Sequence, residues 1–217
     1  QVLVSVNDTF YGTGSEKYVI EMVGDGDGGE IMTTGWRSYR VSLGMMEAGA
    51  HELIIGGYNS QKTASNEVAE ILFDNVHIVG AVPIVDDGSD TSQDTGQDTN
   101  QDTGDTSDNP DSGGITGGDT ADNDGSYTGE TPASDLPTDF VSADFDNDEN
   151  GFAYRDDLFR DTNEPGYASG KRLNSGGISG GALSVTLGGL NGTDVYGMSG
   201  GWRLTFSLDE PGEASVS

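Results

Sequence analysis

Fifty consecutive residues in the middle of the chain, Asp86 to Asp135, hold thirteen Asp and one Glu but no Lys or Arg. Only four of their side chains are apolar: Ile115, Ala121, Tyr127 and Ala133. Ordering the backbone costs about 1–2 kcal/mol per residue, and so few apolar groups bury too little surface to offset that. From Asp90 to Gly104 the stretch reads as a four-residue repeat, with Asp94, Asp98 and Asp102 each preceding a Thr. The composition predicts an extended, self-repelling linker. It divides the chain into three parts: a first flank at 1–84, an Asp/Thr/Gly-rich linker at 85–139 and a second flank at 140–217.

The net charge of the 217-residue chain is −29, and about half of it belongs to that stretch. A basic footprint for nucleic acid is missing, so no nucleic-acid partner is expected. No run of about 18 apolar residues occurs, and no membrane insertion is predicted. With no Cys there is no disulfide, thiolate metal site or cysteine nucleophile. The two histidines, His51 and His77, both fall in strand patterns. No G-x-S-x-G, H-E-x-x-H or phosphate-loop motif occurs, so the chain is not expected to be an enzyme.

Both flanks read as β. In the first, Val2, Val4 and Val6 alternate with Leu3 and Ser5 before an Asn7-Asp8 turn. Tyr18–Val23, Trp36–Leu43, His51–Gly57 and Glu70–Val79 are further candidate strands, about five in all. In the second, Gly151–Tyr154, Ala182–Leu187 and Trp202–Leu208 are the candidates, and Glu213–Ser217 reads as a strand cut in mid-run. The glycine pairs Gly176-Gly177, Gly180-Gly181, Gly188-Gly189 and Gly200-Gly201 punctuate that flank. The spacing predicts an all-β jelly-roll or β-sandwich. Each flank alone makes an open sheet with a poor core; together they approach one sandwich domain.

The sharpest chemical motif is Asp146-Asn147-Asp148-Glu149-Asn150-Gly151, which fits the calcium-loop pattern D-x-[DN]-x-[DN]-G, with Asp157 at loop position 12. Alternating oxygen ligands converge on a hard cation, and Gly at position 6 permits the sharp turn. Asp at position 12 is shorter than the usual Glu, and no helices are predicted to flank the loop. A hydrated acidic turn is the competing reading. Asp25-Gly26-Asp27-Gly28-Gly29 and Asp122-Asn123-Asp124-Gly125 are weaker candidates, with a β-turn as the default for the former. A glycan site needs an aromatic platform among polar groups. Tyr58, Asn59 and Lys62, in a polar loop after Gly56-Gly57, and Trp202 are the candidates; Trp36 and Trp202 fit a core role as well. Asn7-Asp8-Thr9 and Asn191-Gly192-Thr193 match the N-glycosylation pattern, and the linker threonines are candidate O-glycan sites.

Asn150–Asp157, Pro165–Gly170 and Gly200–Leu204 resemble the opening of a jelly-roll repeat module found in large secreted bacterial proteins. Thr34-Gly35-Trp36, Ala48–Leu53, Asn66-Glu67 and the closing Phe73-Asp74-Asn75-Val76 resemble its second half. The closing strand is similar to those of laminin-G/MAM-like and carbohydrate-binding sandwiches. The two halves stand here in reversed order around the linker. The resemblance implies a calcium ion held between the acidic stretch and the closing strand, pairing Asp144 or Asp146 with Asp74, plus Asp157 or carbonyl oxygens. It implies an extracellular, non-enzymatic, calcium-stabilised repeat of an adhesion, matrix or fibre protein. Its partners would be neighbouring copies, joined in tandem or head-to-tail by completion of a split sandwich. A circularly permuted single domain is a further variant. The alternative is a carbohydrate-binding module of a secreted polysaccharide-active enzyme, with polysaccharide as the partner.

Overall fold

Period-two alternation and β-branched side chains set the first strand, β1 (Val2–Val6), and two residues in left-handed conformation turn it. Asn7 has φ 48° and Asp8 φ 62°, the backbone of a tight two-residue hairpin turn that matches strand twist. The chain returns as β2 (Thr9–Tyr11), with Val6 opposite Thr9. The computed structural model describes residues 1–24, 30–81, 138–159 and 165–217. The expected linker, the Asp25–Gly29 turn and Asp122–Gly125 lie outside them, apart from the linker's last two residues.

The remaining strands of the first flank are β3 (Val41–Met46), β4 (Gly49–Lys62), β5 (Val68–Phe73) and β6 (Val76–Ala81). The second flank supplies β7 (Thr138–Ala143), β8 (Ala153–Asp156), β9 (Ala168–Leu173), β10 (Ala182–Gly188), β11 (Val195–Leu208) and β12 (Gly212–Val216). The fold is all-β: the described residues form three antiparallel sheets in the orders β2-β1-β4-β11-β8, β5-β10-β9 and β3-β12-β6-β7. The five-stranded sheet packs on the other two as a sandwich. One core draws Val4, Leu53 and Ile55 from the first sheet, Leu183, Val185 and Leu187 from the second, and Leu43, Ile78 and Val216 from the third. Burying each Val or Leu contributes about 1.5–3 kcal/mol.

All three sheets contain strands from both flanks, so within this chain the two flanks complete each other. The longest pairing joins β4 to β11, from Val195 opposite Lys62 to Leu208 opposite Gly49. The expected linker connects two neighbours, because β6 pairs with β7 and Gly80 stands opposite Thr138. Its ends therefore meet at a cross-strand pair.

Several expected elements differ. Gly200-Gly201 does not punctuate the second flank but lies inside β11, opposite Gly57 and Gly56. Tyr58–Lys62 is not a loop, because β4 runs through it. Glu70–Val79 is two strands, broken at Asp74-Asn75 where Asn75 takes φ 52°. Tyr18–Val23 makes only one bridge, Ile20 to Val2. The strand expected at Trp36 begins at Val41; every residue from Glu30 to Ser38 is exposed, so the alternation there has nothing to pack against. β7 and β9 were not expected from the pattern.

Candidate metal centre

Asp74 lies between β5 and β6, in a hydrophobic strand pair where a carboxylate needs partners. Its Oδ1 accepts the N–H of Asn75 at 2.8 Å, and its Oδ2 accepts the N–H of Ile178 at 2.6 Å. Asp146, which follows β7, reaches the same β9–β10 loop from the other side. Its Oδ1 accepts the N–H of Gly181 at 2.9 Å. Two carboxylates from opposite flanks thus hold one glycine-rich loop, Asn174 to Gly181. The loop closes on itself with the Gly177 N–H donating to the Gly180 carbonyl at 2.9 Å.

The glycines here are required by close approach. A Cβ on Gly177 would collide with the Gly181 carbonyl, one on Gly180 with the Asp146 carboxylate, and one on Gly181 with the Phe145 carbonyl. Phe145 is fully buried and takes φ 56°, a conformation that is costly for a bulky side chain. Its backbone is held on both sides. The N–H donates to Asn150 Oδ1 at 2.8 Å, and the carbonyl accepts from Arg172 Nη1 at 3.0 Å. The Arg172 guanidinium also donates to the Asp146 carbonyl at 3.3 Å and to Asn174 Oδ1 at 2.7 Å. The motif pattern did not flag Arg172 or these glycines. Their roles come from tertiary approach, and only the density of glycine hinted at it.

The acidic loop is a series of side-chain turns. Asp144 Oδ1 accepts the Asp146 N–H at 3.1 Å, and Asp148 Oδ1 accepts the Asn150 N–H at 2.7 Å. Asp157 does not close a twelve-residue loop with them. The four residues of β8 intervene, and at about 3.3 Å per residue they carry Asp157 some 13 Å along the sheet. There its N–H donates to the Ser199 carbonyl at 2.9 Å. Among the described residues no three His, Cys, Asp or Glu side chains converge as a metal shell. Asp74 and Asp146 thus both grip the 174–181 loop, Asp144, Asp148 and Asn150 lie in the adjoining acidic loop, and Asp157 follows β8, bonded to Ser199 of β11.

The expected glycan residues are placed differently. Trp202 is 4 % exposed; its indole N–H donates to the Ser184 carbonyl at 3.1 Å, and its ring meets Tyr154 edge-on at 5.5 Å. Lys62 is fully buried, with its ammonium donating to the carbonyls of Ser65 at 2.8 Å and Glu67 at 3.0 Å. Neither presents a face to a sugar. Tyr58 is half-buried against Leu3, Ile54 and Phe159, and Asn59 is half-buried beside it on β4. An open groove of about 450 Å³ on the outer face of the five-stranded sheet is lined by Glu52, Gly151, Ala153, Arg203, Leu204 and Thr205, with no aromatic ring.

His51 is spent on structure. Nε2 faces the Glu47 carbonyl at 2.8 Å, so it carries the proton, and Nδ1 accepts from Asn7 Nδ2 at 2.9 Å. Asn7 Oδ1 in turn accepts the Glu52 N–H at 3.0 Å, so this glycosylation motif has its amide committed. In comparison with known proteins, the chain matches no family model, no curated protein and no solved structure.

Proposed function

We propose that the chain is a non-enzymatic, calcium-stabilised β-sandwich module of an extracellular adhesion, matrix or fibre protein. The observation that carries the reading is the shared grip of Asp74 and Asp146 on the 174–181 loop. The donor chemistry fits calcium, which takes 6–8 hard oxygen ligands including backbone carbonyls. Each carboxylate keeps lone pairs beyond those used by the loop N–H groups. Asp74 and Asp146 would hold the ion, with carbonyl oxygens of the loop completing the shell. The ion would supply cross-linking charge between the two flanks. Millimolar calcium outside cells saturates sites too weak for the cytosol.

The carbohydrate-binding alternative is weaker, because two of its four contact residues are buried. Because β4 and β11 already pair within one chain, assembly with neighbouring copies would join closed modules in tandem and would not require exchange of halves.

Thermal melting with calcium and with EDTA tests the metal. At a hundredfold excess over its dissociation constant, an ion adds about 2.7 kcal/mol, or roughly 5–10 °C in a domain of this size. Asp74→Asn and Asp146→Asn should each abolish most of that rise, whereas Asp157→Asn should not. A wild-type melting temperature unchanged by EDTA overturns the calcium reading.

A further inference from the structure

Among the described residues, five of the nine strand pairings run between residues 1–81 and residues 138–217: β4–β11, β5–β10, β3–β12, β6–β12 and β6–β7. Only β1–β2, β1–β4, β9–β10 and β8–β11 are made within one half. Side-chain and end contacts add to the count. Asp74 holds Ile178, and Ser217 exchanges two backbone hydrogen bonds with His77 at 2.9 and 3.0 Å. The single connection between the halves leaves and re-enters at one cross-strand pair, Gly80 with Thr138. Every contact described across the boundary is therefore non-covalent and independent of what joins the ends.

We infer that the two halves form an obligate interface that does not need the covalent connection, the partner of each half being the other. A chain broken between residues 82 and 137 stays folded as a 1:1 complex, so proteolytic processing in the Asp/Thr repeat is structurally silent. On this inference the connection acts through concentration. Taking the flexible-chain limit that the composition of residues 82–137 predicts, a covalent link of this length sets an effective concentration of roughly millimolar for the halves. At about 10 μM protein, breaking it lowers the folded-to-unfolded ratio by about a hundredfold. The same number fixes when copies exchange halves. Below about millimolar protein the closed single chain wins over exchange. This inference is independent of the metal.

The test expresses the whole chain as two co-translated pieces, residues 1–110 and 111–217, with an affinity tag on one, in calcium and in EDTA. The expected result is co-purification, a native mass of one copy of each, and one cooperative unfolding transition whose midpoint rises with concentration. The unbroken chain should show one transition whose midpoint is the same at about 1 and 100 μM. Pieces that are insoluble, migrate separately or unfold in two independent transitions overturn the inference. So does a concentration-dependent midpoint in the unbroken chain.

Discussion

Gly56 of β4 stands directly opposite Gly201 of β11, and the Phe159 ring covers the pair. A Cβ on Gly56 would lie 2.6 Å from the Gly201 Cα and 2.7 Å from the Phe159 ring; one on Gly201 would lie 3.0 Å from that ring. Phe159 is 1 % exposed and packs with Leu3 and Ile54 as a second small core on the outer face of the sheet. Adjacent in sequence, Gly57 and Gly200 do the same on the inner face, admitting Ile71, Leu187 and Tyr154. Adding a methyl in such a place forces backbone shifts that cost about 1–3 kcal/mol. Gly56→Ala should lower the unfolding free energy by that much, read as a lower denaturant midpoint with the m-value unchanged, and Gly201→Ala should follow it. Urea unfolding followed by tryptophan fluorescence measures both.

This glycine quartet shows where the sequence was legible. The candidate strands at Val2–Val6, Ala182–Leu187 and Glu213–Ser217 correspond to β1, β10 and β12, and the Asn7-Asp8 turn was readable because few residue types tolerate two successive positive φ values. Glycine pairs carry two meanings, turn or close approach, and only the neighbouring sheet decides between them. The same ambiguity hid β11, expected from Trp202 onward but starting at Val195. At the site, Asp74 was legible in the resembling closing strand, and Asp146 as the first position of the calcium-loop motif. Their meeting on residues 174–181 was not, because it depends on the β9–β10 connection. Asp157 misled because sequence spacing of a loop motif says nothing about an intervening strand.

Lys62 should matter more than a surface lysine. It is fully buried, and its ammonium organises the Thr63–Glu67 turn through two carbonyls. The Glu67 carboxylate accepts the backbone N–H groups of Thr63 and Ala64 in the same turn. Lys62→Met keeps most of the apolar stem but withdraws the donor from the carbonyls of Ser65 and Glu67. Losing a buried partner costs about 1–3 kcal/mol. Thermal melting should show a loss of that order, while Lys171→Met should stay near wild type, within about 0.5 kcal/mol.

Alkaline pH should destabilise the domain through Tyr154. Burial, and secondarily the Asp156 carboxylate, pushes its hydroxyl well above the ordinary phenol range. The folded state then keeps a proton that the unfolded chain releases above about pH 10. Stability contributed by this group is full below pH 10 and declines as pH rises further, with a slope under about 1.4 kcal/mol per pH unit. The half-buried ring keeps the slope below that limit. Tyr154→Phe should flatten this decline, read as urea midpoints at pH 8 to 11. An identical decline in the variant would assign it to other groups.

Shortening the connection between β6 and β7 should stabilise the fold. Its ends are cross-strand partners, Gly80 and Thr138, so a short turn can join them without moving either strand. Loop-closure entropy grows by about 0.6 kcal/mol per doubling of length. Replacing residues 82–137 by about 14 Gly/Ser residues is close to two halvings, and should add about 1.2 kcal/mol. Removing the Asp-rich stretch also takes away about half of the chain's net charge, and with it self-repulsion, so the gain should shrink in high salt toward the entropic value. Urea midpoints at low and high salt separate the two contributions. A shortened chain that loses stability at both salts would mean that residues 82–137 contribute contacts to the sandwich beyond joining its halves.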